Sequence, residues 1–232
     1  ELDAADLIVA NHALLFSDLV LKEAGVGVMP EYRYVICDEA HTLEHVAEDH
    51  FGISVSQYSI STVLNTLYHP RRRKGLLAFQ EESLEAQNLV RECREEMKAF
   101  FAQVQAWYRH AGEKTGGACQ PGFVEDNLTG PLKALRLELA KLCKRGGEED
   151  EDEQIELGRM MDRCKAIETD LKLFLSQEDE DCVYWVEASS RHRRNMVLRS
   201  APLHVGPYVR RCLFAPYPSV ILTSATLSCG QD

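Results

Sequence analysis

The sequence predicts an α/β fold in which a parallel sheet is interrupted by a large helical insertion. Three observations carry this. Tyr34 to Cys37 is an apolar run without period-two alternation, the pattern of a parallel strand covered on both faces. Val220 to Thr223 is a second such apolar run near the other end of the chain. Between them lie long segments whose apolar residues recur at helical spacing. The resulting division is 1–54 for the first part of the α/β domain, 55–178 for the insertion and 179–232 for the return.

Taken in order, Asp6 to Ala10 (DLIVA) reads as a buried strand, and Asn11 as the cap of a helix running to about Ala24. Leu14, Leu15, Leu19 and Leu21 are that helix's candidate apolar positions, and Gly25-Val-Gly27 ends it. With Tyr34 to Cys37, this makes a strand–helix–strand unit. Three stripes follow. Met97, Phe100, Phe101, Val104 and Tyr108 form the first; Leu128, Leu132, Leu135, Leu139 and Leu142 the second; Leu157, Met160, Cys164, Ile167, Leu171 and Phe174 the third. Their plain reading is mutual core packing. Gly116-Gly117 and the acidic stretch Gly146 to Glu153 read as exposed connections. CVYWVEA (Cys182 to Ala188) and NMVLRS (Asn195 to Ser200) then read as a hairpin with a basic tip, followed by a short helix around Tyr208 to Phe214.

The formal net charge of −11 argues at first against a nucleic-acid partner, whose affinity comes from cations facing phosphates. Its distribution weakens that argument. Two acidic runs, Glu148 to Glu153 with Glu156 and Glu178 to Asp181, hold as many carboxylates as the whole excess. The eight cysteines include no CxxC pair, so they read as free thiols and imply a reducing, cytosolic setting. No apolar run is long enough for a membrane span.

Asp38 and Glu39 sit where a buried strand should emerge, and open α/β sheets bind ligands at the carboxyl ends of their strands. In a nucleoside-triphosphatase the first acid holds Mg²⁺ and the second activates the attacking water. Carboxylates are equally at home opening a helix, whose amino end is positive. The same letters hold a rival, since His41-Thr-Leu-Glu44-His45 matches the H-x-x-E-H spacing of an inverted zincin, with Glu48 as a candidate further ligand. A non-catalytic helical interaction module is a third reading. What separates them is Val220 to Leu227 (VILTSATL), an apolar run ending in Ser224 and Thr226, small hydroxyls that a neighbouring strand would carry to the same crevice.

VICDEAH and ILTSATL resemble motifs II and III of superfamily 2 helicases. ADLIVANHALLFSDL, VYWVE and APLHVGPYVRRCLF resemble the DinG branch of the XPD/DinG group. The resemblance is good at both ends of the chain and mainly positional in the middle, where this group carries a helical arch. It implies a partial RecA-like P-loop NTPase sheet and an ATP-driven DNA helicase of 5′-to-3′ polarity in the bacterial cytosol. Asp38 would lie on Mg²⁺, Glu39 would activate water, and His41 with Ser224 and Thr226 would couple hydrolysis to movement. The implied partner is single-stranded DNA or DNA with a single-stranded tail. Arg71, Arg72 and Arg73, with Arg191, Arg193 and Arg194, are candidate phosphate contacts, though each group also reads as a solvated loop. Asn11 and His12 lie near the DNA path by the same resemblance, while a helix cap explains Asn11 equally well.

No G-x-x-x-x-G-K-[ST] occurs in these residues. The phosphate loop, the second motor domain and any four-cysteine iron–sulfur module, which many relatives carry just upstream of the position of Ala4, are therefore expected on sequence outside this chain. None of the cysteines here is assigned to a cluster. The motif III strand is expected beside Tyr34 to Cys37, with its other edge unpaired and the isolated segment prone to aggregate.

Overall fold

A computed structural model describes residues 5–23, 27–78, 83–145, 151–188 and 195–226. The chain divides into two compact units, one of residues 1–53 with 201–232 and the other of residues 54–200.

In the first unit, helix α1 (His12–Glu23) is capped by Asn11, whose Oδ1 accepts from the Leu14 amide at 2.8 Å. Strand β1 (Tyr34–Cys37) leads into a tight turn, Ala40–Thr42, and helix α2 (Leu43–Phe51). The segment ends with helix α7 (Gly206–Val209), a wider helical turn Arg210–Phe214 and strand β5 (Ser219–Leu222). Strands β1 and β5 pair in parallel, Tyr34 opposite Ser219 and Cys37 opposite Leu222. Phe16, Leu19, Val35, Cys37, Leu43, Ala47, Cys212 and Leu213 form the core beneath them. Seven of the eight cysteines lie among the described residues, and all seven are free thiols.

Three sequence expectations change here. Asp6 to Ala10 is not a strand: a strand needs a neighbour for its backbone groups, β1 pairs with β5 among the described residues, and Leu7 and Val9 stand 78% and 90% exposed. The strand–helix–strand unit is thus replaced by a pairing across the whole chain. In α1 it is Leu15, Phe16 and Leu19 that are buried, whereas Leu14 and Leu21 face outward. Burial also alternates along β1, because Tyr34 and Ile36 lie on a face that the described residues leave bare.

Asp18 was missed by any apolar pattern because it is polar and fully buried. Its Oδ1 accepts from the Val28 and Met29 amides, each at 2.7 Å, and its Oδ2 from Tyr32 Oη at 3.0 Å and Lys22 Nζ at 2.9 Å. Burial alone would push this carboxyl up; the bonds from Met29, Lys22, Tyr32 and Val28 outweigh it and hold the pKa below the usual carboxylate value. The carboxylate fixes the approach of the chain to β1.

The second unit begins with strand β2 (Ser54–Ser56) and helix α3 (Gln57–Leu67), opened by a reciprocal Ser56–Ser59 capping box. Helices α4 (Leu84–His110), α5 (Thr129–Arg145) and α6 (Glu151–Ser176) follow, then strands β3 (Cys182–Ala188) and β4 (Met196–Pro202). The three stripes pack α4, α5 and α6 together; Phe100, Val104, Leu135, Leu139, Cys164, Leu171 and Phe174 are fully buried. Tyr108 and Ile167 are only half-buried. Strand β4 lies between β2 and β3, so Cys182 to Ala188 belongs with the helices and the boundary between the units falls at Ser200–Ala201.

Two connections also differ from the sequence reading. Gly117 is buried rather than exposed: its carbonyl accepts from Val186 N at 2.9 Å, its φ is +89°, and a Cβ would meet the Val186 carbonyl oxygen. Of the acidic stretch, residues 146–150 lie outside the described residues, and the chain is helical from Glu151 onward.

Candidate active site

The parallel register sets the site. Because Cys37 stands opposite Leu222, the next residues out of the sheet, Asp38 and Thr223, face one another. Thr223 N donates to Cys37 O at 2.9 Å, and Ala40 N donates to Thr223 O at 2.9 Å, so the ladder runs past the strand ends. Thr223 Oγ1 donates to Asp38 Oδ1 at 2.6 Å, and the same oxygen accepts from Glu39 N at 2.9 Å. These two bonds, the hydroxyl's first, hold the Asp38 carboxyl below its ordinary pKa. Asp38 is therefore an ionised, solvent-facing carboxylate beside a hydroxyl. Hard oxygen donors of this kind suit Mg²⁺ held through water.

Glu39 is left-handed, at φ 49° and ψ 46°, a conformation that costs a non-glycine residue about 1–3 kcal/mol and persists only where its surroundings enforce it. Its carbonyl accepts from Thr42 N and from Thr42 Oγ1, each at 2.9 Å. The sharp turn that follows directs the carboxylate toward His41, whose Nδ1 lies 3.3 Å from Glu39 Oε2. His41 Nδ1 is also 2.8 Å from Ser224 Oγ, which lies 3.1 Å from Thr226 Oγ1. The structure thus brings Asp38, Glu39, His41, Ser224 and Thr226 into one cluster.

The remaining candidates lie elsewhere or are otherwise engaged. Asn11 spends its side-chain oxygen on the α1 cap, and His12 Nδ1 is 3.1 Å from Thr42 Oγ1. Arg71, Arg72 and Arg73 occupy an exposed turn closed by the His69–Lys74 bridge, in the second unit. Arg191, Arg193 and Arg194 lie outside the described residues. The zincin reading is not supported, because His41 is engaged with Ser224 and Glu39 while His45, 81% exposed, faces Glu48 at 3.7 Å. Among the described residues no three metal-ligating side chains converge. A shallow pocket lined by Gly206, Pro207, Arg210, Arg211 and Ala215 shares no residue with the acid–hydroxyl cluster.

Sequence reasoning missed Thr223 and Thr42. Thr223 is the residue that falls opposite Asp38 once the register is known, and only the register reveals it. Thr42 carries a local signal: a threonine three residues after Glu39 is placed to bond that residue's carbonyl.

No family model matches the chain. Among curated proteins, it is 27% identical over 233 residues to the ATP-dependent DNA helicase YoaA of Escherichia coli, covering 98% of this chain and 34% of that protein. It is 25% identical to the 3′-5′ exonuclease DinG of Bacillus subtilis, over 97% of this chain and 27% of that protein. To the ATP-dependent DNA helicase DinG of Photobacterium profundum it is 27% identical, over 97% of this chain and 36% of that protein. The chain spans about a third of the length of these relatives. With nearly every residue of the chain aligned, and the acid pair and the hydroxyl tripeptide side by side at the ends of paired parallel strands, the chain is similar along its whole length to one segment of these DinG and YoaA proteins.

Proposed function

We propose that this segment supplies the metal-and-water half of the ATP-hydrolysis site of a 5′-to-3′ DNA helicase. The observation that supports this most is the bond from Thr223 Oγ1 to Asp38 Oδ1, which ties the two motif-bearing strand ends together. Asp38 would hold Mg²⁺ through water, and that ion would neutralise charge developing on the triphosphate. Glu39 orients the attacking water and takes its proton. His41 stands between the Glu39 carboxylate and the Ser224–Thr226 hydroxyl pair, so a change at the nucleotide shifts a hydrogen bond shared by both strand ends.

The rest of the helicase chain would bring the phosphate loop and the second motor domain. The bare sheet face at Tyr34, Ile36 and Ile221 and the exposed Leu7 and Val9 are apolar surface of the kind such a neighbour buries. The helical unit is read as the arch insertion: the sequence puts its extent at residues 55–178, and strands β3 and β4, which share a sheet with β2 within that unit, would lead from the arch back to the motor domain. Single-stranded DNA is the partner, with Arg71, Arg72 and Arg73 as phosphate contacts; reversing their charge should flatten the salt dependence of DNA binding, and an unchanged slope would count against them.

The experiment that tests the function uses the full-length protein with Mg²⁺ and ATP on duplexes carrying one single-stranded tail. Opening of the 5′-tailed duplex and not the 3′-tailed one is expected. Opening of neither, or of the 3′-tailed duplex alone, would contradict the proposal.

A further inference from the structure

We infer that Thr42 and His12 are positioning residues that hold Glu39 in its left-handed conformation through a hydrogen-bonded chain; the inference rests on reading Glu39 as the group that activates water. The Thr42 hydroxyl carries a single hydrogen, and it is spent on the Glu39 carbonyl at 2.9 Å. The 3.1 Å contact between Thr42 Oγ1 and His12 Nδ1 must therefore be filled by the ring's N–H. The chain runs in one direction, from the His12 ring to the Thr42 hydroxyl to the Glu39 backbone.

Thr42 occupies the N-cap position of α2, where a threonine hydroxyl ordinarily accepts from an amide of the first turn. Here it makes no such bond and turns back toward Glu39. Helix capping thus does not explain this side chain. At the other end of the chain of bonds, His12 is the first residue of α1, and the Asn11 cap fixes that helix start through Leu14 N at 2.8 Å and Leu15 N at 3.1 Å. The start of α1 is in this way bonded to the peptide that aims the Glu39 carboxylate. Without the hydroxyl, the Glu39 carbonyl keeps only the Thr42 amide, and the Glu39–Ala40 peptide, still tied by Ala40 N to Thr223 O at 2.9 Å, is held less firmly in the orientation that keeps Glu39 left-handed. The carboxylate would move while Asp38 and its partner Thr223 stay in place, so the loss should fall on turnover rather than on nucleotide binding.

The test is steady-state DNA-stimulated ATP hydrolysis by the full-length protein carrying Thr42→Val, Thr42→Ser, His12→Phe or the Val/Phe pair, with Glu39→Gln as reference. Thr42→Val should lower kcat by about tenfold with KM for ATP unchanged, and Thr42→Ser should restore most of it. His12→Phe should fall to a similar level, and the double variant should fall little further, because both changes break one chain. Circular dichroism establishes folding, and His12→Phe carries the comparison if Thr42→Val does not fold. Wild-type kcat in either single variant, equal impairment in the Ser and Val variants, or a loss confined to KM would overturn the inference. Full turnover in Glu39→Gln would instead overturn the reading of Glu39 itself, whereas an inactive Glu39→Gln beside an unimpaired Thr42→Val removes only the positioning role.

Discussion

Thr223 donates its hydroxyl to Asp38 across the ends of two parallel strands, at 2.6 Å. The same oxygen of Asp38 also takes the Glu39 amide, so one carboxylate joins strand pairing to the turn that presents the second acid. If Asp38 holds Mg²⁺, its hydrogen-bond partner tunes that role. Thr223→Val should raise the Mg²⁺ concentration for half-maximal ATP hydrolysis by about tenfold, the usual scale for losing a ligand's supporting bond. A Mg²⁺ titration identical to wild type would show that the hydroxyl serves the strand ends alone.

Ser224 touches His41 and Thr226 but neither acid directly among its hydrogen bonds. Removing its hydroxyl should therefore disturb the link between hydrolysis and movement more than hydrolysis itself. In the full-length protein, Ser224→Ala should lower duplex opening relative to ATP hydrolysis by about fivefold, within the range of ordinary coupling free energies. Parallel loss of both activities would assign Ser224 to the chemical step instead.

The buried Asp18 makes a pH-dependent contribution whose sign is fixed. Its folded pKa lies below the unfolded value of about 3.9, so its stabilisation is complete above that value and is lost as pH falls through the folded pKa. Hydrogen exchange at Val28 and Met29, whose amides it accepts, reads this locally. Asp18→Asn should lower their protection at neutral pH by about tenfold, the scale of a compromised buried bond. The wild-type amides should lose protection below about pH 4, after correction for intrinsic exchange, and those of the variant should not. Matching pH profiles would refute the assignment.

Much of the architecture is legible in the letters, and the gaps have definite causes. Stripes such as Leu128, Leu132, Leu135 and Leu139 are read correctly because helical spacing is local and each of these side chains is buried. Apolar content alone does not say whether a run finds a ladder partner, which is why Tyr34 to Cys37 is a strand and Asp6 to Ala10 is not. The nearness of Asp38 to the Ser224 segment follows from two strand-then-polar patterns. Thr223, Thr42 and the left-handed Glu39 do not, since they depend on register and on hydrogen bonds around one turn. His41 and His45 illustrate the same limit: their spacing fits a metal site, yet the tight turn at Ala40–Thr42 gives them different partners.

The central claim is that Glu39 activates the water that attacks ATP. Glu39→Gln in the full-length protein, assayed for ATP binding and for DNA-stimulated hydrolysis in the same preparation, tests it most directly. Binding should be retained while hydrolysis falls by about 10²–10⁴-fold, the scale of losing a general base. Turnover close to wild type with binding intact would contradict the account.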